Sequence, residues 1–340
     1  MKIRFLVLLA ALLIVSVGWI FGWRHLSVAS EEAFVGAMEA ANRDGVTVAC
    51  LNPRTGGFPF RLAIHCDNPS FSKDSDLAFR AAGMHAQTFI YRPLHQVVDF
   101  RSPAEIKAGR LGTLQLVWQT ARLGSQLQTN GLSAVTAKIE KARLSFLNPP
   151  VELEGTALTA EQVIVNARRT SPEEAADSVV IGLNAMALSV EGPQLALPPV
   201  SIAGLVLAYG IAGVLDGEGE PLPLWIEKGG EAQIQSLDIV SGKAHLAAKG
   251  WVKLDLDGFI HADLDVDSAN LQAFVEAMGP SLVQFQSVAS TVIAAIDGLG
   301  ENVTLNGEPA KRVKFIIRKG IVKLGIIPLG IIPQIDVARL

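Results

Sequence analysis

Between Lys243 and Leu256 the even positions Ala244, Leu246, Ala248, Val252, Leu254 and Leu256 are apolar, and the odd ones include Lys249, Lys253 and Asp255. A period of two belongs to an extended strand with one face turned to a core. The alternation continues on both sides of this run. Upstream, Leu237 and Ile239 precede Ser241-Gly242. A two-residue turn there pairs Ile239 with Ala244 and Leu237 with Leu246, apolar against apolar. Downstream, Ile260, Ala262, Leu264 and Val266 alternate with His261, Asp263, Asp265 and Asp267. A two-residue turn at Asp257-Gly258 would set Leu254 against His261. A three-residue loop, Asp257-Gly258-Phe259, sets Leu256 against Ile260 and Val252 against Leu264 instead. The segment therefore reads as a three-stranded meander with one oily and one charged face. Near the end of the chain, Lys319-Gly320 as a two-residue turn pairs Ile317 with Val322, Phe315 with Leu324 and Val313 with Ile326.

The amino terminus carries a different pattern. Lys2 and Arg4 precede the uncharged run Phe5–Trp23, which Arg24 and His25 close. About 20 apolar residues suffice to cross a bilayer as a helix, and Trp19 and Trp23 fall where an interfacial aromatic belt lies. The run exceeds the ~7–15 residues of a secretory signal's apolar region, which favours an uncleaved anchor. Ser27-Val28-Ala29 would nonetheless serve as a small-residue cleavage site. With no second apolar run of that length, the rest of the chain is expected outside the cytoplasm. Beyond the anchor, Ser30 suits a helix N-cap, Phe34, Met38 and Ala41 recur at helical spacing, and Gly45 is the expected stop; this short helix either continues from the anchor or packs against the first strands.

Cys50 and Cys66 are the two cysteines. An oxidising compartment permits a disulfide between them, contributing about 3 kcal/mol by restricting the unfolded chain; two buried thiols are the alternative. Between them, Gly57-Phe58-Pro59-Phe60-Arg61 reads as the opening of a strand with Phe58 and Phe60 on one face. That pair either touches a ligand or lipid or plugs the end of the sheet, the more ordinary role of paired aromatics. Short alternating segments fill residues 77–147, Asn148-Pro149-Pro150 is a break, and Pro198-Pro199 marks the expected sub-domain boundary. Ser201–Leu215 is too short to span a membrane and reads as one or two strands. Helices are expected over Leu271–Met278 and Ser281–Ile296. The resulting organisation is 1–25 as anchor, 26–198 as the first β-rich part, and 199–340 as a second β-rich part with a helix pair.

Composition excludes several classes. A formal charge of -4 offers no footprint for nucleic acid. Hydrophobic residues at 49% against 18% charged exclude a disordered chain. Asp263-Leu-Asp265-Val-Asp267-Ser268 imitates a calcium loop, but Ser268 and Phe274 stand where such a loop needs Gly and Glu. The six histidines form no metal-spaced cluster; His245 is expected to pair with Asp238 across the Ser241-Gly242 hairpin. No nucleophile elbow, phosphate loop or zinc-protease helix is present, so no enzymatic activity, cofactor or metal is expected.

The Cys50…Gly57-Phe-Pro-Phe-Arg61…Cys66 block, the segment Gly250-Trp-Val-Lys-Leu-Asp-Leu-Asp-Gly258, the helix pair and the closing Pro328-Leu-Gly330…Pro333 resemble the DUF2125 family of uncharacterised alphaproteobacterial envelope proteins. The Gly/Leu patterning is more loosely similar to AsmA-like proteins, whose β-sheets curl into an apolar groove. The resemblance implies a bacterial inner-membrane, single-pass protein with its bulk in the periplasm. The expected fold is mainly β with a few short helices, a large curved antiparallel sheet, groove or open barrel-like, behind one transmembrane helix. Expected partners are the inner membrane and either a lipid or another envelope protein. The candidate groove residues are Phe58, Phe60, Leu237, Ile239, Leu246, Val252, Leu254, Leu256, Ile260, Leu264, Val266, Phe315 and Ile317. A closed, packed sheet serving envelope assembly is the alternative.

Overall fold

The computed structural model describes residues 2–42, 46–73, 77–109, 112–128, 131–149, 154–170, 177–193, 197–216, 221–277, 283–325 and 327–335. The fold is mainly β, with antiparallel ladders behind a long amino-terminal helix, as the alternation requires. That helix, α1 (Lys2–Ala41), is 40 residues long. Its length is about 60 Å at 1.5 Å per residue, roughly twice the ~30 Å hydrocarbon core of a bilayer. Among the described residues it is the one helix long and apolar enough to cross a membrane.

The helix that Ser30 was expected to cap continues from the anchor, one of the two arrangements expected for it. Ser27 donates to the Arg24 carbonyl (2.9 Å) and Ser30 to the Ser27 carbonyl (2.8 Å), so both hydroxyls are satisfied inside the helix. No proline interrupts Arg24–Ala41, so nothing there removes a helical hydrogen bond. The expected stop, Gly45, lies outside the described residues.

The chain forms two compact units, residues 1–125 and 126–340. In unit 1, α1 is followed by β1 (Val46–Gly56), β2 (Arg61–Lys73), β3 (Leu77–Phe89), β4 (Arg92–Ala108) and β5 (Thr113–Val117), an antiparallel meander in chain order. Strand β6 (Thr120–Gln128) carries the division. Cys50 and Cys66 are joined as a disulfide with Cα atoms 5.5 Å apart, and Cys66 is fully buried. The small residues Ala63, Ala81 and Ala104 of this unit are also buried, and the buried Trp118 donates its indole N–H to the Phe100 carbonyl.

Unit 2 continues with β7 (Gly131–Phe146), β8 (Ala157–Arg169), β9 (Ser178–Glu191), β10 (Leu197–Tyr209), a 3-10 turn (Ala212–Asp216) and α2 (Pro221–Glu227). Next come β11 (Glu231–Ser241), β12 (Ala244–Leu254), β13 (Ile260–Ala269), α3 (Leu271–Ala277) and α4 (Val283–Leu299). The unit closes with β14 (Glu301–Leu305), β15 (Glu308–Arg318), β16 (Ile321–Leu324) and β17 (Ile327–Ile331). Ladders run β7 to β13 in chain order, then β13 to β15, β16 and β17, with β14 also on β15. Pro198-Pro199 lies inside β10, and Ser201–Leu215 divides between β10 and the 3-10 turn.

The turns locate each register. Lys319-Gly320 is the expected two-residue turn, with Ile317 opposite Val322 and Phe315 opposite Leu324. Both turn residues have positive φ (49° and 74°), the requirement of the hairpin turn that matches strand twist. Ile326 lies outside the described residues. The β11–β12 turn falls on Gly242-Lys243 instead of Ser241-Gly242, so Ile239 faces Leu246 and Leu237 faces Ala248. Glycine, with φ +57°, takes the first turn position. Sliding the turn by one residue shifts the register by two, so every side chain keeps its face.

The β12–β13 loop is odd, as expected, but runs Asp255–Phe259, leaving Leu254 opposite Ile260 and Val252 opposite Ala262. Asp255 organises it: its carboxylate accepts from the Phe259 N–H (2.8 Å) and contacts His261 Nε2 (2.8 Å), while its carbonyl accepts from Gly258. Leu256 is consequently lifted off the oily face and is 75% exposed.

Gly250, inside β12, has φ +149°, and a Cβ there would fall on the Asp263 carbonyl; Gly242 has open space at its Cβ position. Gly250→Ala is expected to cost about 3 kcal/mol or more, and Gly242→Ala about 1 kcal/mol. Equilibrium denaturation of the full chain in detergent measures both.

Candidate functional site

Of the unit 2 residues expected to line a groove, Leu237, Leu246, Leu264, Val266 and Phe315 are brought together with a helix over them, whereas Leu256 is exposed. Ala248, Val266, Ile296, Val313 and Leu324 form a buried cluster, and Leu237, Leu246, Leu264, Phe315, Val292 and Ala295 pack against it. Ile296, Val292 and Ala295 belong to α4. Ile239 lies opposite Leu246, Val252 is half-buried, Leu254 is buried, and Ile260 and Ile317 are half-buried at the ends of their ladders. The helix reaches this face because α4 and β15 are joined by the short β14 hairpin, which folds it back over its own strands.

The opposite face of this sheet is ionic, which explains the acidic run. Arg312 makes two hydrogen bonds of 2.6 Å to Asp267, Arg318 pairs with Asp263 (3.0 Å), and Asp265 stands in register between Lys249 and Lys314. The hydrogen bond from Arg312 holds the Asp267 carboxyl below its ordinary value, outweighing burial. His245 contacts Asp238 (3.2 Å), diagonally and not directly across, because the register has moved by two. Among the described residues no three His, Cys, Asp or Glu side chains gather as a metal site requires.

Unit 1 covers its apolar face differently. The second half of α1 runs beside β1, fixed by Glu31 accepting from Thr55 (3.1 Å) and by Asn42 accepting from the Val48 N–H. It leaves a gap against the strands of about 430 Å³, lined by Phe34 of α1, Leu62 and Ile64 of β2, Met84 and Ala86 of β3, and Val98 of β4. Register explains the shared face: Ile64 lies opposite Ala86 and Ala86 opposite Val98. Ser30, Gln87, Thr88 and Gln96 add polar edges. These lining residues were missed from the sequence. The signal was present in the even positions Leu62, Ile64, Met84 and Ala86, but it was read only as a string of strands.

Phe58 and Phe60 do not open β2; they sit in the β1–β2 turn. The Gly57 carbonyl accepts from the Arg61 N–H (2.9 Å), and Gly57 has φ +98° with no room for a Cβ. Phe58 packs edge-on against Trp23 (centroids 5.3 Å) and Phe60 against Trp19 (6.1 Å). Both rings remain more than half exposed.

These features define a class: a long apolar helix whose outer half stands beside an antiparallel β-unit and partly covers its apolar face. The chain belongs to the DUF2125 family, described as an uncharacterized protein conserved in bacteria, whose model matches residues 23–333. The match therefore takes in Trp23, the outer half of α1, the disulfide and all of the groove residues. No curated protein matches the chain.

On the face of unit 1 away from the groove, His65 and His85 stack at 4.3 Å. Burial, then the neighbouring His65, pushes His85 below its ordinary 6.5; Asp99 opposes this and Arg61 adds to it. The folded chain thus binds this proton less readily than the unfolded one. Its stability is expected to be full above pH 6.5 and to fall as pH drops below that value. Asp267 acts in a separate window: its contribution is present above 3.8 and lost as pH falls through its lowered value. Thermal melting between pH 7.5 and 5.5 should fall in the unaltered protein and flatten in His85→Gln.

Proposed function

We propose that the protein is a single-pass, membrane-anchored envelope protein that holds the acyl chain of a lipid in the unit 1 groove between α1 and the β2–β4 face. The observation that carries this reading is the gap of about 430 Å³ beneath Phe34, on an apolar face that α1 only partly covers. That volume falls within the roughly 300–1,000 Å³ of small-molecule sites. The length and apolar character of α1 support the anchor, and the Cys50–Cys66 disulfide supports an oxidising compartment, the periplasm.

An acyl chain taken from water would gain about 0.8 kcal/mol per methylene in such a groove. A chain taken from the bilayer leaves surroundings as apolar as leucine, so exchange between membrane and groove is close to balanced. That suits loading and release better than permanent storage. The role asks no residue to make or break a bond, and we read the protein as a binding or transfer module.

A second reading, a structural or assembly factor, draws on unit 2. There α4 packs on the oily face, and Ile327, Leu329 and Ile331 of β17 are exposed for a partner. Native mass spectrometry of the full chain from nanodiscs separates the two readings. Bound lipid is expected in the unaltered protein. Ala86→Phe, which fills the groove, should weaken retention about tenfold, equivalent to ~1.4 kcal/mol. Val97→Phe, on the other face, should leave it unchanged. Absence of lipid in the unaltered protein, or its full retention in Ala86→Phe, would favour the assembly reading.

A further inference from the structure

We infer that the β1–β2 and β3–β4 turns of unit 1 form a second membrane contact, seated in the interfacial layer of the bilayer that α1 crosses. This rests on the reading above that α1 is a membrane span. The Trp19 indole N–H donates to the Pro59 carbonyl (3.0 Å) and the Trp23 indole N–H to the Arg61 carbonyl (3.0 Å). The β1–β2 turn is therefore held at the level of Trp19, not above the end of the apolar run. Trp19 lies four residues inside Trp23, a depth of about 6 Å at 1.5 Å per residue. Interfacial elements seat their apolar groups about 5–10 Å into this layer.

The neighbouring turn shares that level. The Phe60 carbonyl accepts from the Ile90 N–H (3.1 Å), and Arg61 lies opposite Phe89. Across the two turns and the start of β4, Phe58, Phe60, Tyr91 and Leu94 are 51%, 59%, 66% and 49% exposed. Three large apolar side chains at adjoining turn tips, with Leu94 just beyond, are costly in water and are the composition of an interfacial belt. Arg61, its guanidinium 5.4 Å from the Phe89 ring, and the exposed Arg92 supply cations at the same tips. Basic groups beside an aromatic rim suit phospholipid headgroups. Two attachment points, the span and these turns, would stop unit 1 from swivelling about α1. Leu62 and Ile64 follow the β1–β2 turn along one face of β2, so the groove would begin where the bilayer ends.

The test uses the full chain in nanodiscs containing anionic lipid, with its disulfide intact. A single environment-sensitive label is placed at Phe60→Cys, Tyr91→Cys, Ser72→Cys or Val15→Cys, and brominated lipid serves as quencher. Labels at 60 and 91 are expected to be quenched by lipid nearly as strongly as the one at 15, with the label at 72 unquenched. Quenching at 15 alone would leave the anchor standing and overturn the seated turns. No quenching at 15 would remove the anchor, and the inference with it. Labels at 60 and 91 shielded from both lipid and water would mean a second copy covers the turns, which also overturns it.

Discussion

A strand with alternating side chains cannot leave its apolar face in water at roughly 25 cal/mol for every Å² exposed, and each unit of this protein meets that demand with a helix. In unit 2 the helix is α4, whose Val292, Ala295 and Ile296 close over Ala248, Val266, Val313 and Leu324. In unit 1 it is the outer half of α1, tied down at Thr55 and Val48 and at the two tryptophans. In unit 2 the helix packs directly on the buried cluster. Under α1, a groove remains beneath Phe34.

That difference follows from what each helix is attached to. A short hairpin returns α4 to its own sheet, which sets its side chains against the strands beside it. The apolar run of α1 ends at Trp23 and no break separates it from the part beside β1, so its path is set from one end. Its contacts lie along β1 and the β1–β2 turn, while the apolar face spreads to β4. A single helix held beside β1 does not reach across such a face, and what is left over is the groove.

Much of the fold was legible because a strand period of two survives errors in turn placement. Moving the β11–β12 turn from Ser241-Gly242 to Gly242-Lys243 changed every partner and no face. The Lys319-Gly320 turn was read correctly because its two positive-φ positions suit one kind of residue pair. The β12–β13 loop was read too short because Asp255, which looked like a strand residue on the charged face, caps the loop instead. Ser30 left two arrangements open: a serine that suits an N-cap can equally hydrogen-bond back within a helix, and the continuity of α1 decides between them. The groove was illegible because its wall is shared between distant segments. Phe34 lies on a helix and Leu62, Met84 and Val98 on three strands, and spacing along the chain does not report which sheet face a helix leaves uncovered.

The whole arrangement depends on α1 running unbroken from the apolar stretch at Phe5 to the end of its contact with β1. Amide hydrogen exchange of the full chain in nanodiscs measures that continuity residue by residue. Slow exchange is expected without interruption from Trp19 through Met38. A fast-exchanging gap between Arg24 and Ser30 would mean that anchor and groove wall are separate helices, and the groove would then have no fixed relation to the membrane.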